Sequence, residues 1–325
     1  MSAYIIRRLL YIIPTFIAIT IFIFLFQDLA PGDPTSALLG RSTPVPQEMI
    51  QRYKEKFHLD DPIWTRYGFW LWQLLHGNFG RSLKTGEQVG PKIANRLLNT
   101  IQLMALGIAL STIIGISVGL ISGIWQYSVF DYVSTFIIFF SLSIPGFFFG
   151  FLAIYAFSIK IPLFPVGGSM SASLATGNPA VWRLILDRLH HLILPASALG
   201  LILSAYMARF TRTAVIEVAR EQYVTTARAK GLPERMVIIK HIFRNALSPV
   251  ITVLSNRLRW IVGGSVAIEV VFQYPGVGML LKNSVLARDY TVIMAVVIIF
   301  SAAVLFSFLF ADIGYALANP KVRFK

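Results

Sequence analysis

The side chains of this sequence best suited to chemistry are ionisable residues within an apolar segment. Arg257, Arg259 and Glu269 lie in or next to the apolar segment 247–270. An arginine in the middle of a membrane helix costs about 2.5–3.5 kcal/mol, so it must face water, a partner chain or a counter-charge. In one interpretation these residues line a polar pathway, where an arginine attracts an anionic group such as a carboxylate. In the other they make structural ion pairs, for example between an arginine and Glu269 or another subunit.

The two arginines are not expected to act together. Arg257 and Arg259 are two positions apart, so on a helix their side chains point to different faces. At most one of them is therefore expected to face a given pathway.

The sequence contains none of the common catalytic motifs. It has no G-x-x-x-x-G-K-[ST] loop for ATP, no H-E-x-x-H zinc motif and no G-x-S-x-G nucleophile motif. It also has no cysteine, which excludes disulfides, thiolate metal sites and a thiol nucleophile. We therefore expect no enzymatic activity, no bound cofactor and no metal site in this chain.

Apolar helices must position any functional residues. The 325 residues are 56% hydrophobic and have a mean hydropathy of +0.68, which excludes an ordinary soluble domain. The formal net charge of +14 is explained better by membrane orientation than by nucleic-acid binding. The sequence predicts an all-α, polytopic membrane protein with six transmembrane helices. The predicted helices are at about 9–26, 100–124, 132–159, 192–207, 247–270 and 291–317.

The basic residues predict an orientation for these helices. Arg7 and Arg8 precede the first segment, the stretch 213–246 is basic, and the C-terminal NPKVRFK is basic again. Because basic loops stay in the cytoplasm, both termini and the 213–246 stretch are expected there.

The predicted helices also suggest a division of the chain into three parts. Residues 1–92 form a retained transmembrane helix and a long extracytoplasmic segment. Residues 93–317 form a five-helix core that includes a cytoplasmic loop at 210–246. Residues 318–325 form a cytoplasmic tail.

The second predicted helix has one smooth face. Gly107, Gly115, Gly119 and Gly123 recur at multiples of four residues, a spacing that lets two helix backbones approach closely in lipid. The partner is either another helix of this chain or a second subunit. The third predicted helix is interrupted at 145–146 by Pro-Gly, where we expect a kink.

The stretch 213–246 is predicted to be a docking element. From 212 to 244 there are seven Lys or Arg residues against three acidic residues. Two helices are expected: one over 213–230 that ends at Gly231, and one that begins near Pro233. A helix–glycine–helix unit outside the membrane is suited to binding a partner protein. Since the chain lacks an ATP loop, any ATP-derived energy must come from such a partner.

Several motifs resemble those of a known family and extend across most of the chain. They are APGDP (30–34), SIPGFFFG (143–150), LFPVGG (163–168), HLILPASALG (191–200), YVTTARAKGL (223–232), RNALSPV (244–250), EVVFQYPGVGMLL (269–281) and RDY (288–290). Together they resemble the membrane permease subunits of ABC importers with the type I fold, in the peptide/nickel branch. APGDP directly after the first helix resembles the B-type member of the permease pair.

The resemblance implies what docks on the 213–246 stretch. In this family the loop carries an E-A-A-x-x-x-G motif, whose coupling helix inserts into a groove on the ATPase subunit. Alignment on Gly231 places Thr225, Thr226 and Ala227 at the E-A-A positions. Tyr223 and Lys230 belong to the same motif in this sequence and are further candidates for ATPase coupling.

The resemblance also implies a complete transport system in the cell membrane of a prokaryote. The expected partners are a second homologous permease subunit, two cytoplasmic ATPase subunits that bind ATP and Mg, an extracytoplasmic substrate-binding protein and membrane lipid. This chain would form half of a pathway for di- or oligopeptides and work by alternating access. The alternatives are the same system with oligosaccharides or nickel as cargo and, more remotely, a non-transport membrane scaffold.

Overall fold

The computed structural model describes residues 2–29, 51, 61–175, 179–247, 250 and 261–318. These residues are mostly helical, with irregular loops, turns and one isolated antiparallel bridge between Arg81 and Gln88. In chain order the α-helices are α1 (Ser2–Leu29), α2 (Ile63–Leu75), α3 (Val89–Ile124), α4 (Val129–Ser143), α5 (Gly146–Ile154), α6 (Ala172–Ala175), α7 (Val181–Ala219), α8 (Gln222–Ala229), α9 (Glu234–Met236), α10 (Ile261–Val271), α11 (Val277–Leu286) and α12 (Tyr290–Ala318).

Four of these helices, α1, α3, α7 and α12, are long and apolar enough to cross a membrane. The pair α4 and α5, with the π-helical turn Tyr155–Lys160 that continues α5, makes a fifth candidate if it is counted as one broken span. The prediction of a helical membrane protein is confirmed. Half of the predicted fifth helix, 247–270, lies outside the described residues, so the prediction of six spans is not tested.

The chain divides into two compact units. One comprises Met1–Ile5, Leu98–Met279 and Phe306–Lys325, and the other comprises Ile6–Leu97 and Leu280–Leu305. In the first unit α7 is the central helix, because 67% of its most apolar window is buried, against 22% for α3. One apolar cluster of this unit surrounds the middle of α7, and a second surrounds its C-terminal half together with α8.

The glycines of α3 lie against α7 of the same chain. A Cβ atom added at Gly107, Gly115, Gly119 or Gly123 would lie 2.5–2.8 Å from an atom of α7. At Gly119 the neighbours include backbone atoms, which cannot move aside as a flexible side chain can. The glycines therefore allow α3 and α7 to pack at backbone distance, and the partner in this structure is within the chain.

The bend between α4 and α5 is sharper than the predicted kink. The two helices differ in direction by 108°. Ile144 is extended at φ −93° and ψ 132°, as expected for a residue before proline, and Pro145 is the N-cap of α5. A proline at this point removes a helical hydrogen bond and turns the chain.

Two predictions about the α7 region are wrong. Residues 192–207 do not form a separate helix, because α7 is continuous from Val181 through Pro195 to Ala219. The predicted helix over 213–230 is divided instead, since α7 ends at Ala219 and α8 begins at Gln222. This break turns α8 so that its apolar residues become buried, whereas a straight continuation of α7 would carry them away from the core.

In the second unit, contacts on α2 and before α12 hold neighbouring segments in place. Phe24 of α1 packs against Tyr67 and Trp70 of α2, with ring centroids 5.6 and 5.5 Å apart. Asp289 is buried and accepts hydrogen bonds from the hydroxyl of Ser82 and, at 3.0 Å, from the backbone N–H of Leu83. The RDY motif thus anchors the turn that contains Ser82.

Candidate docking site

Helix α8 has one buried face and one exposed face. Val224 and Ala227, three positions apart, are 0% and 4% exposed and belong to an apolar cluster with Val215, Val237 and Ile242. The residues on its other faces are exposed, which leaves a largely polar surface available to a partner. They are Gln222, Tyr223, Thr225, Thr226, Arg228 and Ala229, and the exposed Lys230 follows at the C-cap.

The C-terminus of α8 is closed by a glycine in the left-handed conformation. Gly231 has φ +72°; its N–H donates to the carbonyl of Arg228 at 2.9 Å, and the Leu232 N–H donates to the carbonyl of Ala227 at 3.4 Å. These two bonds form a Schellman motif. No atom lies within 4 Å of a Cβ added at Gly231, so the site requires glycine for its backbone angle and not for lack of space.

An ion pair crosses this turn. Arg228 of α8 and Glu234 of α9 are 2.7 Å apart, and their side chains are 46% and 55% exposed. The hydrogen bond from the Arg228 guanidinium lowers the pKa of Glu234 and raises the pKa of Arg228. Because solvent screens such a pair, it contributes little to stability, and the glycine turn remains the main determinant of the geometry.

The residues predicted for ATPase coupling therefore occupy two environments. Thr225, Lys230 and Gly231 are exposed, and the exposed Thr226 donates its hydroxyl to the carbonyl of Gln222 at 2.9 Å. Tyr223, in the first turn of α8, is exposed as well. Ala227 is buried, so its side chain positions α8 and does not offer a contact surface to a partner.

Of the residues predicted for a polar pathway, Arg257 and Arg259 lie outside the described residues, and only Glu269 can be placed. It is 0% exposed, near the end of α10. Its carboxylate accepts hydrogen bonds from the Thr100 hydroxyl at 2.8 Å and from the Met279 N–H at 3.0 Å. The Thr100 oxygen in turn accepts the Val277 N–H at 2.9 Å.

These contacts form what we call the Glu269 site: Thr100, Glu269 and the backbone of 276–279. The carboxylate and the hydroxyl satisfy N–H groups in the first turn of α11, which have no partner within their own helix. A negative charge is also favourable at the positive end of the helix dipole. Within the described part of the chain, Glu269 has no arginine or lysine partner. Its visible role is therefore to cap α11.

The turn before α11 is equally enclosed. The Tyr274 N–H donates to the Glu269 carbonyl at 2.8 Å, and the Tyr274 side chain is only 2% exposed. Burial raises the pKa of Tyr274 to about 12, so its phenol stays protonated at neutral pH. Asn99 of α3 donates its side-chain amide to the carbonyl of Pro275 at 3.0 Å. The turn is thus fixed to α3 at two adjacent residues, Asn99 and Thr100.

The buried carboxylate of Asp131 was not predicted from the sequence. We call it the Asp131 site: Ser122, Tyr127, Asp131 and Arg212. Arg212 Nε and Nη2 donate to the two carboxylate oxygens of Asp131 at 2.7 and 2.9 Å. The Tyr127 N–H donates to the carboxylate at 2.9 Å, and the Ser122 hydroxyl also donates to it. The Asp131 side chain is 3% exposed and that of Arg212 is 28% exposed.

One local signal for the Asp131 site was present in the sequence. Ser128 and Asp131 have the S-x-x-D spacing of a helix N-terminus, and the Ser128 hydroxyl accepts the Asp131 N–H at 3.2 Å. This spacing identifies the start of α4. It contains no information about Arg212, which is 81 positions away.

The two carboxylate sites lie far apart along α3. Thr100 belongs to the Glu269 site and Ser122 to the Asp131 site, which is a separation of 22 positions. At 1.5 Å per residue this corresponds to about 33 Å, close to the thickness of a bilayer core. The Asp131 site lies near the C-terminal ends of α3 and α7. This is also the end of α7 that is followed by α8.

Comparison with family models shows two matches that together cover most of the chain. Residues 115–324 match a model described as "Binding-protein-dependent transport system inner membrane component". Residues 1–104 match the model for the N-terminal region of such membrane components. The first match includes α7, α8 and both carboxylate residues.

Curated relatives match along the full length of the chain. The oligopeptide transport system permease protein AppB of Bacillus subtilis is 39% identical over 325 residues, which is 100% of both chains. A putative peptide permease protein of Brucella suis is 36% identical over 99% of both chains. The glutathione transport system permease protein GsiC of Escherichia coli K12 is 34% identical over 100% of both chains.

A solved structure resembles the fold. It is described as an amino acid ABC transporter with histidines, and it matches with a TM-score of 0.51 at 15% identity. The match covers 70% of this chain and 94% of the other. At this identity the likeness supports the shared helical fold alone.

Proposed function

Because the chain belongs to the family of inner membrane components of binding-protein-dependent transport systems, we propose that it is a permease subunit of an ATP-driven peptide importer. Full-length relatives named as oligopeptide, peptide and glutathione permeases support peptides as the cargo class. Two such subunits would enclose the pathway, with ATP hydrolysis supplied by separate ATPase subunits.

We assign six membrane spans to the proposed subunit, with both termini in the cytoplasm. The four long apolar helices and the bent pair α4–α5 support five of them. The apolar segment 247–270, whose described end is α10, supports the sixth. Basic residues before α1 and throughout 212–244 favour the cytoplasmic assignment of the N-terminus and of α8.

The proposed coupling element is α8 with the turn at Gly231. The observation that carries this proposal is the two-sided character of α8. Its apolar face is buried against the end of α7, and its polar face is exposed. A partner that moves such a helix also moves α7, because a packed apolar core deforms little. Binding and release of ATP by the ATPase subunits would thus be transmitted to the membrane helices.

Substitution at Gly231 tests the coupling role. Gly231→Val introduces a β-branched residue at φ +72°, a conformation that such residues rarely adopt. The complete complex would be expressed in a strain lacking its own peptide importers, and uptake of radiolabelled peptides would be measured. We expect uptake to fall by about tenfold or more, which corresponds to a coupling free energy within the usual range. Insertion of the subunit into the membrane should be unchanged.

Gly231→Asn is the matched control, because asparagine adopts the left-handed conformation more readily than other non-glycine residues. It should retain most of the uptake, since the space around Gly231 is open. Wild-type uptake in the Gly231→Val variant would contradict the proposed coupling role. Absence of peptide uptake by the wild-type complex would contradict the proposed cargo.

A further inference from the structure

The Asp131 site connects three helices at the end where α8 begins. Ser122 is at the end of α3, Asp131 is in the first turn of α4, and Arg212 is on α7. The two parallel bonds from the Arg212 guanidinium to the Asp131 carboxylate fix both the distance and the relative orientation of the two groups. A displacement of Arg212 therefore acts directly on the first turn of α4.

Arg212 is close to the proposed docking helix. It lies seven positions before Ala219, the last residue of α7, which corresponds to about 10 Å along the helix axis. Only Arg220 and Glu221 separate α7 from α8. Arg212 is therefore on the rigid segment that a displacement of α8 would move first.

The helices α3 and α4 are attached to α7 in different ways. α3 packs on α7 at backbone distance through its glycines, so the two helices are expected to move together. α4 meets α7 through a small apolar cluster of Ile138, Ala205 and Ala208, and Arg209 lies 5.7 Å from the ring centroid of Phe139. The bonds between Asp131 and Arg212 are the directional connection between these two helices near their ends.

The connection between α3 and α4 is also held by Asp131. Tyr127, in the turn between these helices, has φ +63°, which is uncommon for a residue other than glycine. Its N–H donates to the Asp131 carboxylate, which stabilises this conformation. The first turn of α4 is therefore pinned to the preceding turn and to α7 at once.

We propose that the Asp131–Arg212 pair is the connection through which a displacement of α8 moves α4 and the bent segment that follows it. Both residues are positioning residues for energy coupling. The inference rests on the proposed function, because it requires an ATPase that acts on α8. It adds a specific pair of side chains, outside the docking helix itself, on which coupling depends.

The test uses the complete complex of both permease subunits and the ATPases, reconstituted in nanodiscs. ATP hydrolysis is measured with and without saturating binding protein that has been loaded from a tryptic digest of casein. The ratio of the two rates reports coupling. A purely structural role would reduce the amount of assembled complex, or both rates together, and would leave the ratio unchanged.

Two variants weaken the pair in different ways. Arg212→Lys keeps the positive charge but cannot form the two-bond fork, and Asp131→Asn removes the negative charge. We expect the ratio to fall by about fivefold or more in each, at the lower limit of typical coupling between sites. Arg212→Lys decides the result if Asp131→Asn fails to assemble.

Arg209→Lys is the matched control, because Arg209 is an exposed arginine one turn earlier on α7 and contacts an aromatic ring instead of a carboxylate. Its ratio should equal that of the wild type. An unchanged ratio in Arg212→Lys, with assembled complex present, would overturn the inference. A wild-type complex that shows no stimulation by the binding protein would instead overturn the proposed function on which the inference rests.

Discussion

The two buried carboxylates attached to α3 are stabilised in different ways. Asp131 is paired with the guanidinium of Arg212, whereas Glu269 accepts hydrogen bonds from the Thr100 hydroxyl and the Met279 N–H of α11. Both side chains are almost fully removed from solvent. The two carboxylates connect different parts of the molecule. Asp131 connects α4 to side chains of α3 and α7. Glu269 connects the N-terminus of α11 to α10 and α3.

The two sites should therefore respond differently when the helices move. A carboxylate that satisfies the first turn of a helix leaves N–H groups without partners if it departs, so the Glu269 site favours one fixed arrangement. The Asp131–Arg212 pair, by contrast, can keep both bonds when α4 and α7 move together, because it joins two side chains and satisfies no helix terminus of α7. We therefore interpret the Glu269 site as fixed and the Asp131 site as a movable connection.

The largest expected effect tests the rigidity of the Glu269 site. A Cβ atom added at Gly276 would overlap the carboxyl group of Glu269, which has no room to move. We expect Gly276→Ala to lower the free energy of unfolding by about 3 kcal/mol. Unfolding in mixed micelles titrated with SDS, followed by tryptophan fluorescence, would measure it. Gly68→Ala is the control, since nothing lies within 4 Å of a Cβ there. Equal stability of both variants would show that the Glu269 site can rearrange to accommodate the added methyl group.

Neutralising each carboxylate should separate the two sites directly. Asp131→Asn leaves the Arg212 guanidinium without its counter-charge, at a cost of about 2 kcal/mol, less than for a fully buried pair because Arg212 is 28% exposed. Glu269→Gln keeps the shape of the side chain and one hydrogen-bond acceptor, so we expect the free energy of unfolding to fall by about 1 kcal/mol. The same SDS titration applies to both variants. A larger loss for Glu269→Gln would indicate a cationic partner of Glu269 beyond the described residues.

The hydroxyl groups on α3 allow a finer comparison. Thr100→Val removes a donor to Glu269 and an acceptor for the Val277 N–H, with an expected loss of about 1.5 kcal/mol. Ser122→Ala removes one of several donors to Asp131, with an expected loss of about 0.5–1 kcal/mol. Thermal unfolding in detergent would rank the two variants. A larger loss of stability in Ser122→Ala than in Thr100→Val would contradict the view that each hydrogen bond matters more in the Glu269 site than in the Asp131 site.

The smallest effect is expected at the exposed pair of Arg228 and Glu234, which contrasts with the buried pair of Asp131 and Arg212. The pKa of Glu234 is lowered in the folded state. Its contribution to the stability of the fold is therefore fully present when the pH is above the ordinary pKa of 4.5, and it is lost as the pH falls through the lowered pKa. Solvent screening limits it to about 0.5 kcal/mol or less.

The measurement is the difference in melting temperature between the wild type and Glu234→Gln. It should be small at pH 7 and disappear once Glu234 is protonated in the folded wild type. A difference that grows as the pH falls would show that the sign of this linkage is wrong.

Local patterns predicted those parts of the structure that depend on neighbouring residues. The glycine after Lys230 and the proline at 233 predicted the turn that separates α8 from α9, because glycine readily adopts the left-handed conformation and proline fixes φ at the start of a helix. Apolar segments predicted the long helices of the membrane core. The break at Arg220–Glu221 was not predicted. No glycine or proline marks it, and burial of Val224 against residues later in the chain favours it.

Local sequence patterns are enough to identify a helical membrane protein without a nucleotide-binding loop, with a smooth glycine face on α3 and a helix-ending turn at Gly231. The folded chain is needed to see that the glycine face packs on α7, that Asp131 pairs with Arg212 and that Glu269 bonds to Thr100. Those partners are 81 and 169 positions apart. A local pattern reports the period and ends of one helix, but partner choice depends on how the helices pack, and that is set by the whole chain.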